Sequence, residues 1–544
     1  MIQLTSNLKT QNVALEALAF LQQNGADAIV DLTADSRLVK AGSLFLAYPG
    51  AQSDGRDYIP KAIASGAAAV LWESESLTEA ASFTWQAAWQ VPNKPIANLK
   101  QYAGEIAAAF YGNPSAHMQV VGVTGTNGKT SVSQWIAQCL ATLNSATDKK
   151  VAVLGTIGNG ILSTKNNAEK SAYEKPLSQP ATLAATSNTT PDAIVLQRLL
   201  ADYLAQGVTA VAMEVSSHGL DQHRVNGMKF DVAVFTNLTR DHLDYHGDMA
   251  SYGKAKQALF DWPSLKMAVV NTDDAFGRNL VAYLTAQSKP CMTYGFDEVI
   301  TAKRLRIQAS DLRMSASGMQ MKVVTPQGSA TLKANVIGRF NADNLLAVLG
   351  SLLALNVSLV DAVAAIATIQ PVAGRMQQLG GGDLPLVVVD YAHTPDALEK
   401  ALTTLKATLT NDAKLICVFG CGGNRDAGKR PIMGKIAATH ADFVVLTNDN
   451  PRFENEADIL SAIQSGMQTL NATQFCIEES RDLAIALAIS KAKAGDIVLI
   501  AGKGHEDYQE VAGVKTPFSD MVVAREKLNS FSQTHFSNNK GVTQ

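Results

Sequence analysis

The stretch Met118-Gln-Val-Val-Gly-Val-Thr-Gly-Thr-Asn-Gly-Lys-Thr-Ser131 decides the fold of the region around it. Its apolar beginning, up to Val123, predicts a buried strand, and the apolar residues after Thr130 recur at helical spacing. A strand, a glycine-rich loop and a helix N-terminus in this order bind phosphate, because backbone N–H groups and the helix dipole point at the anion. The sequence therefore predicts a nucleoside triphosphate site at the end of this strand.

Two side chains of this loop suit the same ligand. Lys129 supplies a positive charge, and the Thr130 hydroxyl can ligate magnesium. The usual pattern places a glycine where this chain has Val123; the nearest glycine is Gly122, so the loop is a variant. The alternative is a glycine-rich turn without a ligand, which the Gly-Lys-Thr context disfavours. The residues expected to bind the nucleotide here are Gly125, Thr126, Asn127, Gly128, Lys129, Thr130 and Ser131.

Length and composition limit the class of protein. A chain of 544 residues is too long for one core and suggests about three domains. With 17% charged and 47% apolar residues and a net charge of −3, we expect a globular protein that binds no nucleic acid. No signal peptide and no apolar run of about 18 residues is found, and five scattered cysteines suit reduced thiols. These features favour a cytoplasmic protein without a membrane span.

Short apolar runs alternate with helical stretches, which predicts α/β domains. Residues 1–112 should form a small first domain, with a strand at 42–47 and a helix that includes Ile59, Ile63 and Ala67. Residues 113–371 should form a central domain with a mostly parallel sheet, whose further strands are 151–154, 208–215, 232–236 and 267–270. The polar segment 163–187 indicates a long loop. Residues 372–544 should form a Rossmann-like domain with strands 386–390, 415–419, 443–446 and 496–500.

Polar side chains at two strand ends of the central domain could carry chemistry. Glu214 ends one strand and could reach a magnesium ion held by Thr130, although a solvated carboxylate is the alternative. His242 follows the next strand beside several ionisable residues, which favours a ligand or catalytic role. From spacing alone, Lys256 is an ordinary helix lysine, and the role of Arg224 stays open.

The third domain carries polar groups after four of its strands, at the edge where open α/β sheets bind ligands. These groups are Asp390-Tyr-Ala-His393, Gly420-Cys-Gly-Gly-Asn-Arg425, Asp449-Asn-Pro-Arg452 and Gly502-Lys-Gly-His-Glu506. Arginine suits bidentate carboxylate binding and glutamate suits an ammonium group. Together they predict a second ligand site, for a molecule with both kinds of charge.

Taken in order, these segments resemble the Mur ligases, the ATP-dependent amide-forming enzymes of bacterial peptidoglycan synthesis. The resemblance runs from Asp35 to about Arg525 and matches the member that adds the third peptide residue. Its blocks are Gly125–Thr130, Glu214–Gly219, Asp241–Asp244, Gly338–Asn344, Asp390–Pro395 and Gly502–Glu506. It implies a cytoplasmic enzyme, expected to be a monomer, that uses ATP, Mg²⁺, a UDP-N-acetylmuramoyl-dipeptide and meso-diaminopimelate.

The resemblance also implies roles for single residues. Lys129, His242 and Lys256 would be catalytic, and Lys256 would be carbamylated; the metal ligands would be Thr130, Glu214, His242 and Lys256. Further ATP contacts would be Asn341, Asn344, Arg375 and Asp390. The UDP-sugar-peptide would be held by Ser36, Asn188, Thr189, Thr190, Ser216, Gln222 and Arg224. The amino acid would be held by Arg425, Asp449, Asn450, Arg452, Gly502 and Glu506.

The choice of amino acid rests on Arg452. Diaminopimelate has a distal carboxylate that lysine lacks, and Arg452 could pair with it while Asn450 adds a hydrogen bond. Two departures from the family pattern are Gln377, where glutamate is common, and Asn424, where aspartate is usual. The alternatives are the same reaction with L-lysine, a ligase of the folylpolyglutamate type, and a nucleotide-binding regulator without catalysis.

Overall fold

The computed structural model describes residues 2–24, 29–50, 53–75, 83–145, 147, 149–162, 188–297, 305–315, 318–409, 412–468, 471 and 473–539. Their sheets fall into three α/β units, which confirms the predicted fold class. The expected long loop at 163–187 lies outside the described residues. Within the described part of the chain, no helix has the length and apolarity needed to cross a bilayer.

The first unit is a parallel sheet in the order β1-β2-β3-β4. Its strands are β1 (Asp31–Thr33), β2 (Ser43–Ala47), β3 (Ala67–Glu73) and β4 (Asn93–Ile96), and its helices are α1 (Ile2–Gln23), α2 (Ile59–Ala64) and α3 (Leu99–Phe110). The predicted strand at 42–47 is confirmed. Ala67 was expected in the helix but begins β3, because Gly66, at φ +95°, turns the chain just after α2.

The second unit is a large sheet in the order β14-β13-β12-β11-β10-β9-β5-β8-β6-β7. Its strands are β5 (Gln119–Thr124), β6 (Lys150–Gly155), β7 (Gly158–Leu162), β8 (Val208–Glu214), β9 (Val232–Phe235), β10 (Met267–Asn271), β11 (Cys291–Gly295), β12 (Leu305–Ser315), β13 (Gly318–Thr325) and β14 (Gly328–Ala334). Strands β5, β6 and β8–β12 are parallel, so the predicted mostly parallel sheet is confirmed. Antiparallel β13 and β14, and β7 at the other edge, were not anticipated.

Helices cover both faces of this sheet. They are α4 (Lys129–Leu143), α5 (Ala193–Ala205), α6 (Ser217–Asp221), α7 (Leu243–His246), α8 (Met249–Gln257), α9 (Ala275–Ala286), α10 (Arg339–Ala354) and α11 (Leu359–Ile366). On one face, α4 and α10 bury Trp135 and Leu345 against the strands. On the other, α5 and α9 bury Leu200 and Leu284. The strands are apolar on both sides because both faces are covered.

The third unit is a sheet in the order β15-β16-β20-β17-β18-β19 with a separate hairpin β21–β22. Its strands are β15 (Gln377–Gly380), β16 (Leu386–Asp390), β17 (Leu415–Phe419), β18 (Phe443–Leu446), β19 (Phe475–Ile477), β20 (Ile497–Ala501), β21 (Tyr508–Val511) and β22 (Val514–Pro517). Its helices are α12 (Pro395–Lys406), α13 (Lys429–His440), α14 (Glu456–Gln464), α15 (Arg481–Lys491) and α16 (Asp520–Asn539). The four predicted strands are β16, β17, β18 and β20, which lie parallel.

A buried ion pair fastens α16 to this sheet. Arg481 Nε and Nη2 lie 2.7 and 2.8 Å from the carboxylate oxygens of Asp520, and both side chains are fully buried. Arg481 Nη2 also donates to the carbonyl of Ala501, the last residue of β20. The pair therefore joins the starts of α15 and α16 to the strand end that precedes Gly502.

Candidate active site

A cavity of about 440 Å³ lies where strand ends of the second and third units face each other. The second unit contributes the loop after β5 and the ends of β8 and β9, and the third contributes the ends of β16 and β17. Its polar lining includes Lys129, Thr130, Glu214, Asp241, His242, Asn344, Arg375, Asp390, His393 and Arg425. Residues that are far apart in the sequence therefore line one cavity.

The loop from Gly125 to Gly128 is built as the sequence predicts. Gly128 has φ +88°, and a Cβ atom there would lie 2.4 Å from Asn344 Oδ1, so only glycine fits. The backbone N–H of Asn127 donates to Asn237 Oδ1, and its side-chain amide donates to Asp396 Oδ2 of α12 at 2.8 Å. The last contact joins the loop to the third unit. Ser131 is buried in the first turn of α4.

Thr130 and Glu214 are hydrogen-bonded to each other. The Thr130 hydroxyl donates to Glu214 Oε2 at 3.0 Å and accepts from Arg375 Nη2 at 2.9 Å. Glu214 is 1% exposed, and its other oxygen accepts from the backbone N–H of Thr156 at 2.7 Å. The alternative of a solvated carboxylate for Glu214 is therefore wrong.

Lys129 and Lys256 share one acceptor, the carbonyl of Gly125. Their Nζ atoms both lie 2.9 Å from that oxygen, and Lys129 also donates to the carbonyl of Thr126 at 2.8 Å. Burial lowers the pKa of Lys129, and burial together with Lys129 holds the pKa of Lys256 well below its usual value. Helical spacing indicates an ordinary helix lysine, but Lys256 is 1% exposed, with Nζ 4.2 Å from the centre of the Tyr252 ring.

Asp241 and His242 form a second polar group beside the loop. His242 has φ +53° and its Nε2 lies 3.3 Å from Asp241 Oδ2. Burial lowers the pKa of His242 despite this carboxylate, so the ring is neutral. Burial would raise the pKa of Asp241, but His242 and His393 together hold it below its usual value. A neutral imidazole beside a charged carboxylate can ligate a metal ion.

The further residues expected at the nucleotide divide into two pairs. In α10, Asn344 Nδ2 donates to Asn341 Oδ1 at 3.0 Å, and both side chains are buried. Arg375 lies over the Tyr391 ring at 4.5 Å, and Asp390 Oδ2 accepts from the backbone N–H of Met376 at 2.7 Å. Burial raises the pKa of Asp390 to about 6, although Arg375 opposes this. Asp390 thus fixes the segment that carries Arg375.

The residues expected at the UDP-sugar-peptide lie together, with one exception. Thr190 and Ser216 hydroxyls are 3.0 Å apart, Arg224 donates to the Thr190 carbonyl at 2.9 Å, and its Nη2 donates to Gln222 Oε1 at 2.6 Å. Thr189 Oγ1 lies 3.1 Å from Thr156 Oγ1, which also contacts Glu214, and Asn188 precedes it in the chain. Ser36 lies in the first unit, buried in the turn after β1.

The residues expected at the amino acid surround the ends of β18 and β20. Arg452 has φ +53°; its Nη1 donates to the Gly423 carbonyl at 2.8 Å, and its Nε lies 3.7 Å from Glu510 Oε2. Asn450 Nδ2 donates to Glu506 Oε2 at 2.8 Å.

Two more of these residues complete the set. Gly502 must be glycine, because it has φ +114° and a Cβ atom would lie 2.6 Å from Asp449 Oδ2. Arg425 is exposed and lines the cavity.

Both departures from the family pattern have structural roles. Gln377 Oε1 accepts from the backbone N–H of Gly374 at 3.0 Å, and Asn424, at φ +52°, accepts from the backbone N–H of Phe453. A carboxylate would accept equally well at either position, which explains how an amide replaces it.

Sequence reasoning missed several polar residues of the site. They are Thr156, Asp396, Lys503 and Glu510. Lys503 lies within the Gly502–Glu506 motif and Asp396 directly follows Pro395 of the Asp390–Pro395 motif, so their place in these motifs was the available signal. The others lie in segments where a polar residue is ordinary, so only the fold reveals them.

Three family models match successive parts of the chain. They are "Mur ligase family, catalytic domain" over residues 28–111, "Mur ligase middle domain" over 123–352 and "Mur ligase, glutamate ligase domain" over 374–504. Among curated proteins, the UDP-N-acetylmuramoyl-L-alanyl-D-glutamate–2,6-diaminopimelate ligase of Chromobacterium violaceum is 49% identical, over 95% of this chain and 97% of the relative. The ligase of the same name from Neisseria meningitidis serogroup B is 46% identical, over 91% and 94%.

Solved structures agree with this grouping. One of a ligase of the same name superposes with a TM-score of 0.62 at 35% identity and covers 93% of this chain and 95% of that one. The folylpolyglutamate synthase of Mycobacterium tuberculosis has a TM-score of 0.58 at 17% identity, covers 74% of this chain and 92% of its own, and shares the fold alone. From the matched domains and the near full-length identity, the chain belongs to the Mur ligase family.

Proposed function

We propose that this protein joins meso-diaminopimelate to the D-glutamate carboxylate of UDP-N-acetylmuramoyl-L-alanyl-D-glutamate, with cleavage of ATP to ADP and phosphate. The observation that carries the proposal is the shared cavity, where Lys129 and Glu214 of one unit face Asp390 and Arg425 of another. A phosphate donor and an amine acceptor bound on separate units would meet there. The names of the curated relatives support the same substrates.

The reaction has two steps. A carboxylate oxygen of D-glutamate attacks the γ-phosphorus of ATP, and ADP leaves with the electrons of the broken P–O bond. The amine of diaminopimelate then attacks the acyl carbon and loses a proton, and inorganic phosphate leaves as the amide forms. Lys129 would stabilise charge on the transferred phosphoryl group. Enclosure between the units would exclude water from the acyl phosphate.

The donor set suits Mg²⁺. The Thr130 hydroxyl and the Glu214 carboxylate offer oxygen atoms 3.0 Å apart, and His242 and a carbamylated Lys256 would complete the protein ligands. Among the described residues, no three His, Cys, Asp or Glu side chains form a metal-binding group. When bound, Mg²⁺ supplies positive charge to the phosphate oxygens.

Carbamylation of Lys256 is part of the proposal. A neutral Nζ can add CO₂, forming an N–C bond and releasing a proton, which turns the side chain into an anion. The lowered pKa of Lys256, caused by burial and by Lys129, supports a neutral amine.

The remaining assignments concern domains and setting. We propose that residues 1–112 bind the uridine nucleotide, 113–371 bind ATP and 372–544 bind the amino acid, in a cytoplasmic monomer. The polar cluster around Thr190 and Arg224 supports a sugar-peptide site, to which Ser36 would add a contact from the first unit.

The test is phosphate release with ATP, Mg²⁺ and the UDP-dipeptide, comparing meso-diaminopimelate with L-lysine. We expect turnover with diaminopimelate and a loss of discrimination in Arg452→Ala. Turnover with lysine alone would keep the ligase and reject the role of Arg452. No phosphate release with either amino acid would reject the proposal and leave a folate-type ligase or a regulator. Phosphate release with a folate substrate would then distinguish the ligase from the regulator.

A further inference from the structure

Lys503 is a buried cation of the amino-acid site to which no role has been given. It follows β20 and its side chain is 0% exposed. Its Nζ donates to Asn450 Oδ1 at 2.9 Å and lies 3.0 Å from Glu506 Oε2, and it is 5.5 Å from the centre of the Tyr508 ring. Burying a lysine removes water from its charge, which is unfavourable unless the charge is paired, so these two contacts explain why Lys503 can be buried.

The partners of Lys503 are the two residues proposed to hold opposite charges of the ligand. Asn450 Nδ2 donates to the same Glu506 oxygen, Oε2, at 2.8 Å, so the three side chains form a closed triangle. Asn450 Oδ1 also accepts from the backbone N–H of Glu510 at 3.0 Å. Glu506 Oε1, by contrast, has one hydrogen-bond partner among the described residues, the Tyr391 hydroxyl at 3.5 Å.

We propose that Lys503 is a positioning residue for the distal end of the incoming diamino acid. By holding Oε2 of Glu506 and Oδ1 of Asn450, it leaves Oε1 and the second amide hydrogen of Asn450 for the ligand. The ligand's ammonium then meets a carboxylate of fixed orientation, and its carboxylate meets an oriented N–H beside Arg452. This inference rests on the proposed function, because it needs a diamino acid at this site.

The charge of Lys503 also bears on which amino acid is accepted. The distal carbon of diaminopimelate carries both an ammonium and a carboxylate, so it brings no net charge. The distal end of L-lysine brings an uncompensated positive charge to a carboxylate that already has a buried cation. Lys503 therefore disfavours L-lysine by repulsion, while Arg452 favours diaminopimelate by attraction.

The experiment compares Lys503→Met with wild type and with Lys515→Met. Lys515 is an exposed lysine on the adjacent hairpin, with Nζ 4.0 Å from the centre of the same Tyr508 ring, so it controls for the substitution. We expect Lys503→Met to raise the KM for meso-diaminopimelate about tenfold, as for one lost charge-assisted contact, with the KM for ATP and UDP-dipeptide unchanged. The preference for diaminopimelate over L-lysine, as a ratio of kcat/KM, should fall. Lys515→Met should match wild type.

A double-mutant cycle with Glu506→Gln separates positioning from general support of the fold. If Lys503 acts through Glu506, the double variant should lose much less than the product of the two single losses. Should Lys503→Met not fold, Lys503→Gln, whose amide can still donate to both partners without a charge, replaces it and should show the same fall in preference.

An unchanged KM and preference, or an equal loss for all three substrates, would overturn the inference. A wild type with no diaminopimelate-dependent turnover would instead overturn the proposed function.

Discussion

At the scale of single residues, chemistry depends on which groups the fold deprives of water. Lys256 shows this most clearly, since its spacing in α8 is that of any helix lysine while its Nζ is buried against the Gly125 carbonyl. Neighbouring Lys254 is exposed. Periodicity indicates which face of a helix is apolar, but it does not indicate which residues of other elements pack on that face. Lys256 could therefore be singled out only from the resemblance and not from its spacing.

These two lysines provide a matched comparison. Lys256→Ala should lower kcat by ~100-fold or more, because it removes a buried group that shares the Gly125 carbonyl with Lys129 at the proposed phosphate site. Lys254→Ala, two positions earlier and on the exposed side of α8, should retain wild-type turnover. Both are measured by phosphate release at saturating substrates, with thermal unfolding to show that the fold persists. Equal activities would reject a catalytic role for Lys256.

Acid stability should depend on His505. Its ring lies 5.2 Å from that of Tyr391, its Nδ1 has no hydrogen-bond partner among the described residues, and burial lowers its pKa to about 3. In the unfolded chain the His505 imidazole has a pKa of about 6.5. As the pH drops below that value, the unfolded state binds a proton that the folded state does not, so the free energy of unfolding falls. At pH 5 this loss is about 2 kcal/mol.

Denaturant unfolding at pH 7 and pH 5 tests this for wild type and His505→Gln. The variant should lose less stability on acidification than wild type does. His440→Gln, on the partly exposed end of α13, is the control and should behave as wild type. A variant as acid-sensitive as wild type would exclude His505 as the cause.

At the scale of elements, the strand ends were the most predictable part of the site. Short apolar runs that end in Glu214, Asp390 or Gly502 indicated both the strands and the edge that carries ligands. The structure brings Glu214 and Asp390 to one cavity, and the backbone N–H of Gly502 donates to the Asp390 carbonyl. The hairpin β21–β22 was missed because its two strands have four residues each and neither contains a fully buried residue, which leaves no apolar alternation. Glu510 of this hairpin contacts Arg452, so this part of the proposed amino-acid site could not be predicted from the sequence pattern.

The glycine loop after β5 offers a test of element geometry. Gly128 and Gly207 have nearly equal φ angles, +88° and +86°, but a Cβ atom would clash only at Gly128. Both alanine variants should lose about 1 kcal/mol of stability from backbone strain. Only Gly128→Ala should also raise the KM for ATP, by about tenfold, since the loop must move away from Asn344. A similar KM rise in Gly207→Ala would show that strain alone is responsible.

At the scale of the whole molecule, function depends on the second and third units meeting. The polar contacts that cross between them near the cavity include Asn127 to Asp396 at 2.8 Å, and Arg240 Nε to Asp426 Oδ2 at 3.2 Å. The sequence indicated three domains and the faces that carry ligands. It could not indicate these contacts, because pairing between units depends on their relative placement and not on local pattern.

Reversing the charges of the second pair tests that meeting. Arg240→Glu and Asp426→Arg should each lower kcat at least threefold, and the double variant should recover most of it. Stability should change by less than about 0.5 kcal/mol, because Arg240 is 46% exposed. Lys406→Glu, which breaks the Lys406–Asp442 pair within the third unit, should leave kcat unchanged. No recovery in the double variant would show that the pair does not hold the units together.

The buried Arg481–Asp520 pair decides how far the polypeptide can be shortened. A truncation before Asp520 would leave the buried Arg481 guanidinium without its counter-charge. This would lower the free energy of unfolding by about 3–5 kcal/mol, which is a large part of the stability of most domains. The carbonyl that this guanidinium holds belongs to the residue before Gly502, so the damage would reach the substrate pocket as well as the fold. The beginning of α16 is thus not a removable appendage for protein engineering, and a purification tag belongs after this helix.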